Sequence, residues 1–264
     1  MSSANPYQSL EKPGRIGCRI HYFEELDSTQ QTARAFATDG AAHGTVVIAE
    51  RQTAGRGRLG RSWHSPPGVN LYATTILRPA IALAEVPRLS LMAGVAAAQA
   101  LEREARGLVS LKWPNDVWLK GRKCGGIIAE ALTNSRQELD CVLLGIGINV
   151  NLAESDLPPE LRDKATSVRI AVGHPCDRIA IANSLFTLLD SRYMEIVTRG
   201  FAAVRPQWER FSALTGKQVT VVDGLRRESG VVRGIDAEGA LLLEVGNVMR
   251  RILAGDVSLE GAYD

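Results

Sequence analysis

The chain has 264 residues, a length that fits one large domain or one ordinary domain followed by a small one. Its composition is globular, with 45% hydrophobic and 23% charged residues. The formal net charge of only +2 argues against a protein coated for nucleic-acid binding, so any basic function must come from a local cluster. The four cysteines form no C-x-x-C pair and have no histidine cluster beside them, which argues against a zinc site or a disulfide framework.

The N-terminal region, residues 1–19, is predicted to be a loose leader rich in Pro, Gly and Ser. It lacks the apolar segment of a secretory signal. The longest apolar stretch, from Leu89 to Leu101, is interrupted by Ser90 and Gln99 and is too short to cross a bilayer. We therefore expect a cytoplasmic protein with no membrane partner.

The pattern after the leader predicts an α+β domain in residues 20–214. A β-like stretch begins at Ile20, and Asp27 or Ser28 can cap the short helix that follows it. Further strands are predicted at 45–50, 70–79, 109–113, 117–120, 125–132 and 139–148. Helices are predicted at 85–105, 177–197 and 206–214.

The composition changes at Gly216, where short strands begin to alternate with tight turns. Asp-Gly at 223–224 and Glu-Gly at 238–239 are typical of hairpin connections. Residues 215–264 are therefore predicted to form a small separate β-barrel.

The most informative segment is an arginine- and glycine-rich loop at residues 52–61, of sequence QTAGRGRLGR. Its glycines match the G-x-G-x-x-G pattern of a dinucleotide-binding turn, but such a turn must open a helix and the Pro-Pro pair at 66–67 forbids one. Arg56, Arg58 and Arg61 suit a loop that closes over an anionic ligand. A solvated basic loop and a nucleic-acid contact are the alternatives, and the near-neutral net charge weakens the second.

Two further segments can carry chemistry. Trp113–Asp116 ends a strand in a tight turn, and Lys123 precedes Gly125 and Gly126, where a backbone can approach a ligand closely. The segment Gly145–Asn149 places two glycines inside an apolar strand, which indicates close packing or a ligand against the backbone. An ordinary hairpin with an exposed lysine and a bulge in a buried strand are the respective alternatives.

Together these segments resemble the biotin protein ligase family, also called biotin–[acetyl-CoA-carboxylase] ligases. The matching motifs are D-S-T-Q at 27–30, A-E-R-Q-T-A-G-R-G-R-L-G-R at 49–61, K-W-P-N-D at 112–116, R-K-C-G-G at 122–126 and G-I-G-I-N at 145–149. The resemblance runs from Ile20 to the end of the chain. It implies a mixed-sheet catalytic domain with helices packed on it in residues 20–214, followed by a small SH3-like β-barrel in residues 215–264.

The resemblance implies an ATP-dependent ligase with biotin and Mg-ATP as substrates. Biotin and ATP would give biotinyl-AMP and pyrophosphate, and a lysine of a biotin-carrier domain of a biotin-dependent carboxylase would then attack the mixed anhydride. Because the first step brings two anions together, cationic groups and Mg²⁺ must offset their repulsion. A lipoate–protein ligase and a nucleic-acid-binding module are the alternative functions.

The family's functional residues map onto this sequence through the shared motifs. The expected biotin contacts are Ser28, Thr29, Gln30, Gln52, Arg56, Gly57, Arg58, Lys123 and Gly126. The expected nucleotide contacts are Arg56, Arg58, Trp63, Lys123 and Asn149. Lys123, Arg58 and Asp116 are the expected catalytic residues, with Asp116 orienting the incoming lysine, helping to hold Mg²⁺, or only capping a turn. No resident metal site is expected.

The sequence departs from the family pattern at three places. Residues 1–19 are too few for the winged helix-turn-helix of the repressor members, so no DNA partner is expected. Position 30 is Gln where the family often has Asn. Glu260 stands where some members have a basic residue, which puts a nucleotide contact from the barrel in doubt there. The resemblance allows a homodimer, but the sequence identifies no surface for it.

Overall fold

The computed structural model describes residues 5–259, which form two β-sheets. The larger is a seven-stranded mixed sheet, here called the mixed sheet. Its strands, in spatial order, are β1 (Arg19–Leu26), β2 (Thr45–Gln52), β3 (Leu71–Leu77), β7 (Leu139–Ile148), β6 (Arg122–Thr133), β5 (Asp116–Leu119) and β4 (Val109–Lys112). β1 and β2 pair in parallel, and the remaining neighbours pair antiparallel.

Helices cover both faces of the mixed sheet. α1 (Thr29–Thr38) packs on one face, and α2 (Val86–Leu101), α4 (Arg178–Arg199) and α5 (Arg205–Phe211) lie on the other. The alternation of β2 shows the division, because successive strand residues point to opposite faces. Val46 and Ile48 join the large core with α2, whereas Val47 joins the smaller core with α1.

The helix α2 is the central element of the large core. It is buried along most of its length, which its Ala-rich sequence allows because small side chains let the sheet and α4 approach closely. At Gly94, a Cβ would lie 3.5 Å from a Leu111 methyl group of β4. Pro87 occupies the first turn, where its missing N–H costs nothing.

The second sheet, here called the C-terminal sheet, has five antiparallel strands. In spatial order they are β11 (Val248–Ile252), β10 (Leu241–Val245), β9 (Arg226–Ile235), β8 (Gln218–Asp223) and β12 (Asp256–Leu259). The indole of Trp113 donates a 3.0 Å hydrogen bond to the carbonyl of Gly239, which ties this sheet to the mixed sheet. The predicted α+β architecture with a small β-module behind it is confirmed. Glu260 lies outside the described residues.

The expectation of a loose leader is wrong for residues 5–18. Tyr7, Leu10 and Ile16 are buried in the large core. Asp190 of α4 accepts hydrogen bonds from the backbone N–H of Ile16, at 3.1 Å, and from the guanidinium of Arg15, at 2.6 Å. The Pro and Gly residues of this segment suggested looseness, but its few apolar side chains anchor it to α4.

Two local features differ from the sequence prediction. A five-residue helix, α3 (Val168–Val172), follows the predicted loop, and the hydroxyl of Ser167 caps it by accepting from the N–H of Ile170 at 3.1 Å. β6 begins at Arg122, before the predicted start at 125. Short elements lack the repeated pattern that makes longer ones predictable. Within residues 5–259, no helix combines the length and apolar character that crossing a membrane requires.

Candidate active site

A cavity of about 710 Å³ lies on the α1 face of the mixed sheet. Its walls are the N-terminus of α1, the arginine–glycine loop, the glycine-containing parts of β6 and β7, the β4–β5 turn and the first residues of β12. This volume is typical of a small-molecule site. The C-terminal sheet therefore contributes directly to the wall through Asp256, Val257 and Ser258.

All the residues that the sequence selected line this one cavity. They are Ser28, Thr29, Gln30, Gln52, Arg56, Gly57, Arg58, Trp63, Asp116, Lys123, Gly126 and Asn149. They come from separate parts of the chain, and only the fold brings them together. Their individual roles in binding and catalysis stay predictions.

The end of the cavity beside α1 is lined mainly by uncharged polar side chains, with the Arg34–Glu130 ion pair beside Gln30. The side-chain carbonyl of Gln52 accepts hydrogen bonds from the backbone N–H and the hydroxyl of Thr29, at 3.0 and 3.1 Å. Its amide nitrogen donates to Ser65 at 3.1 Å, and the hydroxyl of Thr74 lies 2.9 Å from that of Thr29. Ser28 is the N-cap residue of α1, yet its side chain makes no capping bond. This end presents donors and acceptors in fixed positions.

Gln30 is held by the protein at the floor of the same end. Its amide nitrogen donates to the carbonyl of Leu143 at 3.1 Å and to Glu130 at 3.3 Å, and its oxygen lies 3.2 Å from the Thr74 hydroxyl. At Gly145, a Cβ would lie only 2.5 Å from that oxygen. A side chain at position 145 would require the Gln30 amide to shift, so glycine there leaves space for the observed position of Gln30.

The other glycine of β7 makes room for Trp63. A Cβ at Gly147 would lie 2.8 Å from the indole nitrogen, and one at Gly126 would lie 3.1 Å from the ring. The indole nitrogen of Trp63 is buried and has no hydrogen-bond partner in the described part of the chain. The glycine pattern thus provides a flat shelf for an aromatic ring of the protein itself.

Asn149 is engaged by protein groups. Its amide nitrogen donates to the carbonyl of Thr166 at 3.0 Å, and its oxygen lies 3.4 Å from the amide of Asn70. The side chain is buried, and its bonds hold the end of β7 to the loop before α3. These bonds supply a structural role, while a nucleotide contact remains a prediction.

The middle of the cavity is charged. The ammonium of Lys123 on β6 forms a 2.7 Å ion pair with Asp116 on β5 and lies 5.4 Å from the centre of the Trp63 ring. Arg58 donates to the side-chain oxygen of Asn115 at 3.0 Å. Asn115 is fixed in turn by a 2.9 Å bond to the carbonyl of Ile127. The two cations, Arg58 from the loop and Lys123 from β6, are thus bonded to the consecutive residues Asn115 and Asp116.

Polar contacts dock the arginine–glycine loop onto its surroundings without any ligand. Arg61 forms an ion pair with Asp256 at the start of β12, and the N–H of Gly57 donates to the carbonyl of Arg61 at 2.6 Å. Leu59, the loop's large apolar side chain, is 74% exposed and contributes little burial. The loop is thus held by an ion pair, side-chain hydrogen bonds and backbone hydrogen bonds.

Positive charge exceeds negative charge along the cavity wall. Seven basic side chains line it, namely Arg34, Arg56, Arg58, Arg61, Lys112, Lys123 and Lys164. The carboxylates that line it are Asp116, Glu130 and Asp256. This excess favours anionic ligands. No group of three or more His, Cys, Asp or Glu side chains suited to a metal ion occurs among residues 5–259.

Comparison with known proteins identifies the family. Residues 22–149 match the biotin/lipoate A/B protein ligase family, and residues 214–260 match the biotin protein ligase C-terminal domain. The chain is 36% identical to the bifunctional ligase/repressor BirA of Bacillus subtilis (strain 168), with 96% of this chain and 82% of that protein covered. The chain belongs to the biotin protein ligase family.

Two further comparisons agree with this assignment. The biotin–[acetyl-CoA-carboxylase] ligase of Paracoccus denitrificans is 34% identical, with 82% of this chain and 90% of that protein covered. The structure of the Aquifex aeolicus biotin protein ligase in complex with biotin and ATP superposes with a TM-score of 0.79 at 30% identity, covering 92% of this chain and 98% of that one. The predicted family and ligase class are confirmed.

Several cavity residues were missed by the sequence interpretation. Thr74 lies at the polar end and Asn115 holds Arg58, while Ser65, a buried residue outside the cavity lining, accepts a bond from Gln52. Asn115 and Lys112 stand inside the K-W-P-N-D motif, so that motif was the available signal for them. Asp256 carried no local signal, because its position beside Arg61 depends on how the two sheets pack.

Proposed function

We propose that this ligase activates biotin with Mg-ATP as biotinyl-AMP and transfers the biotinyl group to a lysine of a biotin-carrier domain of a biotin-dependent carboxylase. The observation that carries the proposal is the cavity's division into an end of mainly uncharged polar groups, where Arg34 and Glu130 pair with each other, and a cationic middle. Biotin has the same division, with a neutral ureido ring at one end and a carboxylate at the other. The names of the Paracoccus denitrificans and Aquifex aeolicus relatives agree with it.

In the first step, the ureido ring binds at the polar end beside Thr29 and Gln52. The carboxylate then faces Arg58 and Lys123, and one of its oxygens bonds to the α-phosphorus of ATP while the bond from that phosphorus to the β-phosphate oxygen breaks. Fixed cations stabilise the negative charge that develops at the phosphorus and on the departing pyrophosphate. The ion pair with Asp116 holds Lys123 in position for this work.

In the second step, the neutral amine of the acceptor lysine attacks the acyl carbon of biotinyl-AMP. The bond from the acyl carbon to the AMP phosphate oxygen breaks, AMP leaves, and the attacking nitrogen loses a proton to water. Asp116 has the charge to orient the incoming lysine while it is still an ammonium, before it gives a first proton to water and becomes the attacking amine. The arginine–glycine loop covers the anhydride and limits its escape before the acceptor arrives.

Mg²⁺ fits this site as part of the Mg-ATP substrate. Asp116 and Asp256, two of the cavity carboxylates, are each paired with a basic side chain, and the described residues offer no cage of three acidic ligands. Mg²⁺ commonly keeps several waters and binds through substrate phosphates. The ion would therefore arrive with the nucleotide and neutralise its phosphates.

The test is isotope exchange between pyrophosphate and ATP, with biotin or lipoate as the acid. Exchange should depend on biotin, because the ureido group can use the fixed donors and acceptors beside Gln52 whereas a dithiolane ring cannot. Intact-mass analysis of a biotin-carrier domain should then show one added biotinyl group. Equal exchange with lipoate, or an unmodified carrier domain after complete adenylation, would contradict the proposal.

A further inference from the structure

Lys112 is a cationic cavity residue without an assigned role. It ends β4, pairs with Asp116 across the β4–β5 hairpin, and lines the same cavity as Lys123. Its ammonium lies 5.1 Å from the centre of the Trp118 ring. Lys112 is thus positioned by strand pairing and an aromatic contact on a rigid part of the sheet.

The ammonium of Lys112 has no carboxylate within 4.0 Å among residues 5–259. The nearby carboxylates are already used, since Asp116 pairs with Lys123 and Asp256 pairs with Arg61. A partly buried cation without a close counter-ion is unfavourable. The wall beside Lys112 therefore has room for an anion that residues 5–259 do not supply.

The charged side chains that act on Lys112 come from β5, β6, the arginine–glycine loop and β12. Burial is the main influence and lowers the pKa of its ammonium, and Lys123 and Arg61 lower it further. Asp116 and Asp256 act in the opposite direction. These neighbours locate Lys112 where the β4–β5 hairpin, the arginine–glycine loop and β12 meet, toward the C-terminal sheet.

We propose that Lys112 binds the β- and γ-phosphates of ATP and the pyrophosphate that leaves when the acid is activated. This inference rests on the proposed adenylation chemistry. Lys123 and Arg58 occupy the part of the wall assigned to the carboxylate and α-phosphate, so the remaining phosphates need a further cation. An ammonium at the same wall that has no close carboxylate among residues 5–259 meets that need and stabilises a leaving group that gains charge.

If Lys112 binds pyrophosphate, replacing it should affect adenylation and not the transfer step. Pyrophosphate takes part in adenylation but not in transfer from biotinyl-AMP to the acceptor lysine. Lys112→Met should slow single-turnover adenylation by about a hundredfold, the size expected for losing one fixed cation at developing charge. It should weaken inhibition by inorganic pyrophosphate and leave transfer from supplied biotinyl-AMP close to that of the parent. Lys112→Arg should recover much of the adenylation rate because it keeps the charge.

Lys217→Met is the matched control, since Lys217 is an exposed lysine outside the cavity. It should match the parent in both half-reactions. Adenylation by Lys112→Met at the parental rate, or an equal loss in both half-reactions, would overturn the inference. If the parent protein adenylates biotin and Lys112→Met does so equally well, only the role of Lys112 is refuted. If the parent protein itself shows no biotin-dependent exchange, the proposed function is refuted.

A second measurement does not depend on the variant folding. In the parent protein, acetylation of lysine by a small amine-reactive reagent can be followed at each site by peptide mass spectrometry. Inorganic pyrophosphate with Mg²⁺ should protect Lys112 and leave Lys217 unprotected. Equal labelling of Lys112 with and without pyrophosphate would overturn the inference.

Discussion

The Lys123–Asp116 ion pair shows how strand pairing prepares a single side chain for chemistry. The two residues lie on neighbouring strands β6 and β5, and their charged atoms are 2.7 Å apart. The Asp116 side chain is more buried than that of Lys123, with 16% and 35% exposure. Lys123 therefore keeps an open side toward the cavity while its position is restrained from behind.

Replacing Lys123 by alanine should slow adenylate formation strongly. A fixed cation at developing negative charge contributes on the order of 3 kcal/mol, which corresponds to about a hundredfold in rate. Single-turnover formation of biotinyl-AMP measures the effect, and Lys217→Ala provides the exposed-lysine control. If Lys123→Ala forms biotinyl-AMP at a rate close to that of the parent protein, Lys123 lines the cavity but has no catalytic role.

Tyr7 provides a residue-level prediction about pH. Burial raises the pKa of its phenol from 10.0 to about 12, and the charge of Arg178 only partly opposes this. Because the folded pKa is the higher one, the folded state holds the proton more tightly. The contribution of Tyr7 to the free energy of unfolding is therefore complete below pH 10 and is lost as pH rises toward 12.

The free energy of unfolding should fall between pH 10 and 12, by on the order of 1 kcal/mol from Tyr7 at pH 11. Tyr7→Phe keeps the buried ring and should make this decline shallower. Urea unfolding of both proteins at pH 8 and pH 11 checks the prediction. The same pH dependence in both proteins would show that Tyr7 is not the group responsible.

At the scale of elements, the arginine–glycine loop is a segment with polar anchors only. At its start, Thr53 and Ala54 bond to Leu26 and Asp27. Farther along, its contacts run from Arg58 to Asn115 and from Arg61 to Asp256, and the Arg61 side chain is 67% exposed. Exposed ion pairs stabilise by about 0–1 kcal/mol, which is less than the entropy cost of ordering several residues, roughly 1–2 kcal/mol each. The docked loop is therefore expected to open often when no ligand is present.

Hydrogen exchange should reveal this opening. Amides of residues 53–61 should exchange fast in the free protein, more slowly with biotin, and slowest with biotin plus Mg-ATP, because the ligands supply counter-charge. The melting temperature should rise in the same order, since ligands that bind only the folded state stabilise it. Strong protection of residues 53–61 before any ligand is added would contradict a closing loop.

Arg58 links this loop to the β4–β5 turn, so its removal should affect retention of the intermediate. Arg58→Gly should still form biotinyl-AMP but release it faster, and the released adenylate should label exposed lysines of bystander proteins. Filter assays of released adenylate and mass mapping of a bystander protein measure the effect. Arg136→Gly, in an exposed turn, is the control, and parental retention by Arg58→Gly would refute the assignment.

At the scale of the whole molecule, the two sheets are joined by a buried bond as well as by a common core. Trp113→Phe removes the donor to the Gly239 carbonyl and should lower the free energy of unfolding by roughly 1–3 kcal/mol. Trp118→Phe is the comparison, because the indole nitrogen of Trp118 has no partner in the described structure. Urea unfolding measures both, and equal losses would show that the bond adds nothing specific.

Most long elements of this fold were predictable because their signals are local. The alternating or continuous apolar runs predicted the main strands, and Asp177 was correctly expected to start α4, where its carboxylate accepts from the N–H groups of Ile179 and Ala180. The packing of residues 5–18 was not predictable in this way. Their burial depends on Tyr7, Leu10 and Ile16 meeting a helix that begins more than 150 residues later in the chain.

By itself, the sequence determined the α+β class, the order of the main elements and the family, because motifs and periodicity are properties of neighbouring residues. Only the tertiary structure brought the selected residues into one cavity. Tertiary packing decided which groups those residues contact. Arg61 meets Asp256 across 195 positions, Gln30 lies against Gly145, and Lys112 has no close carboxylate within the described part of the chain. Such contacts depend on how the sheets and loops pack against one another, and no local sequence pattern encodes the distance between residues that are far apart in the chain.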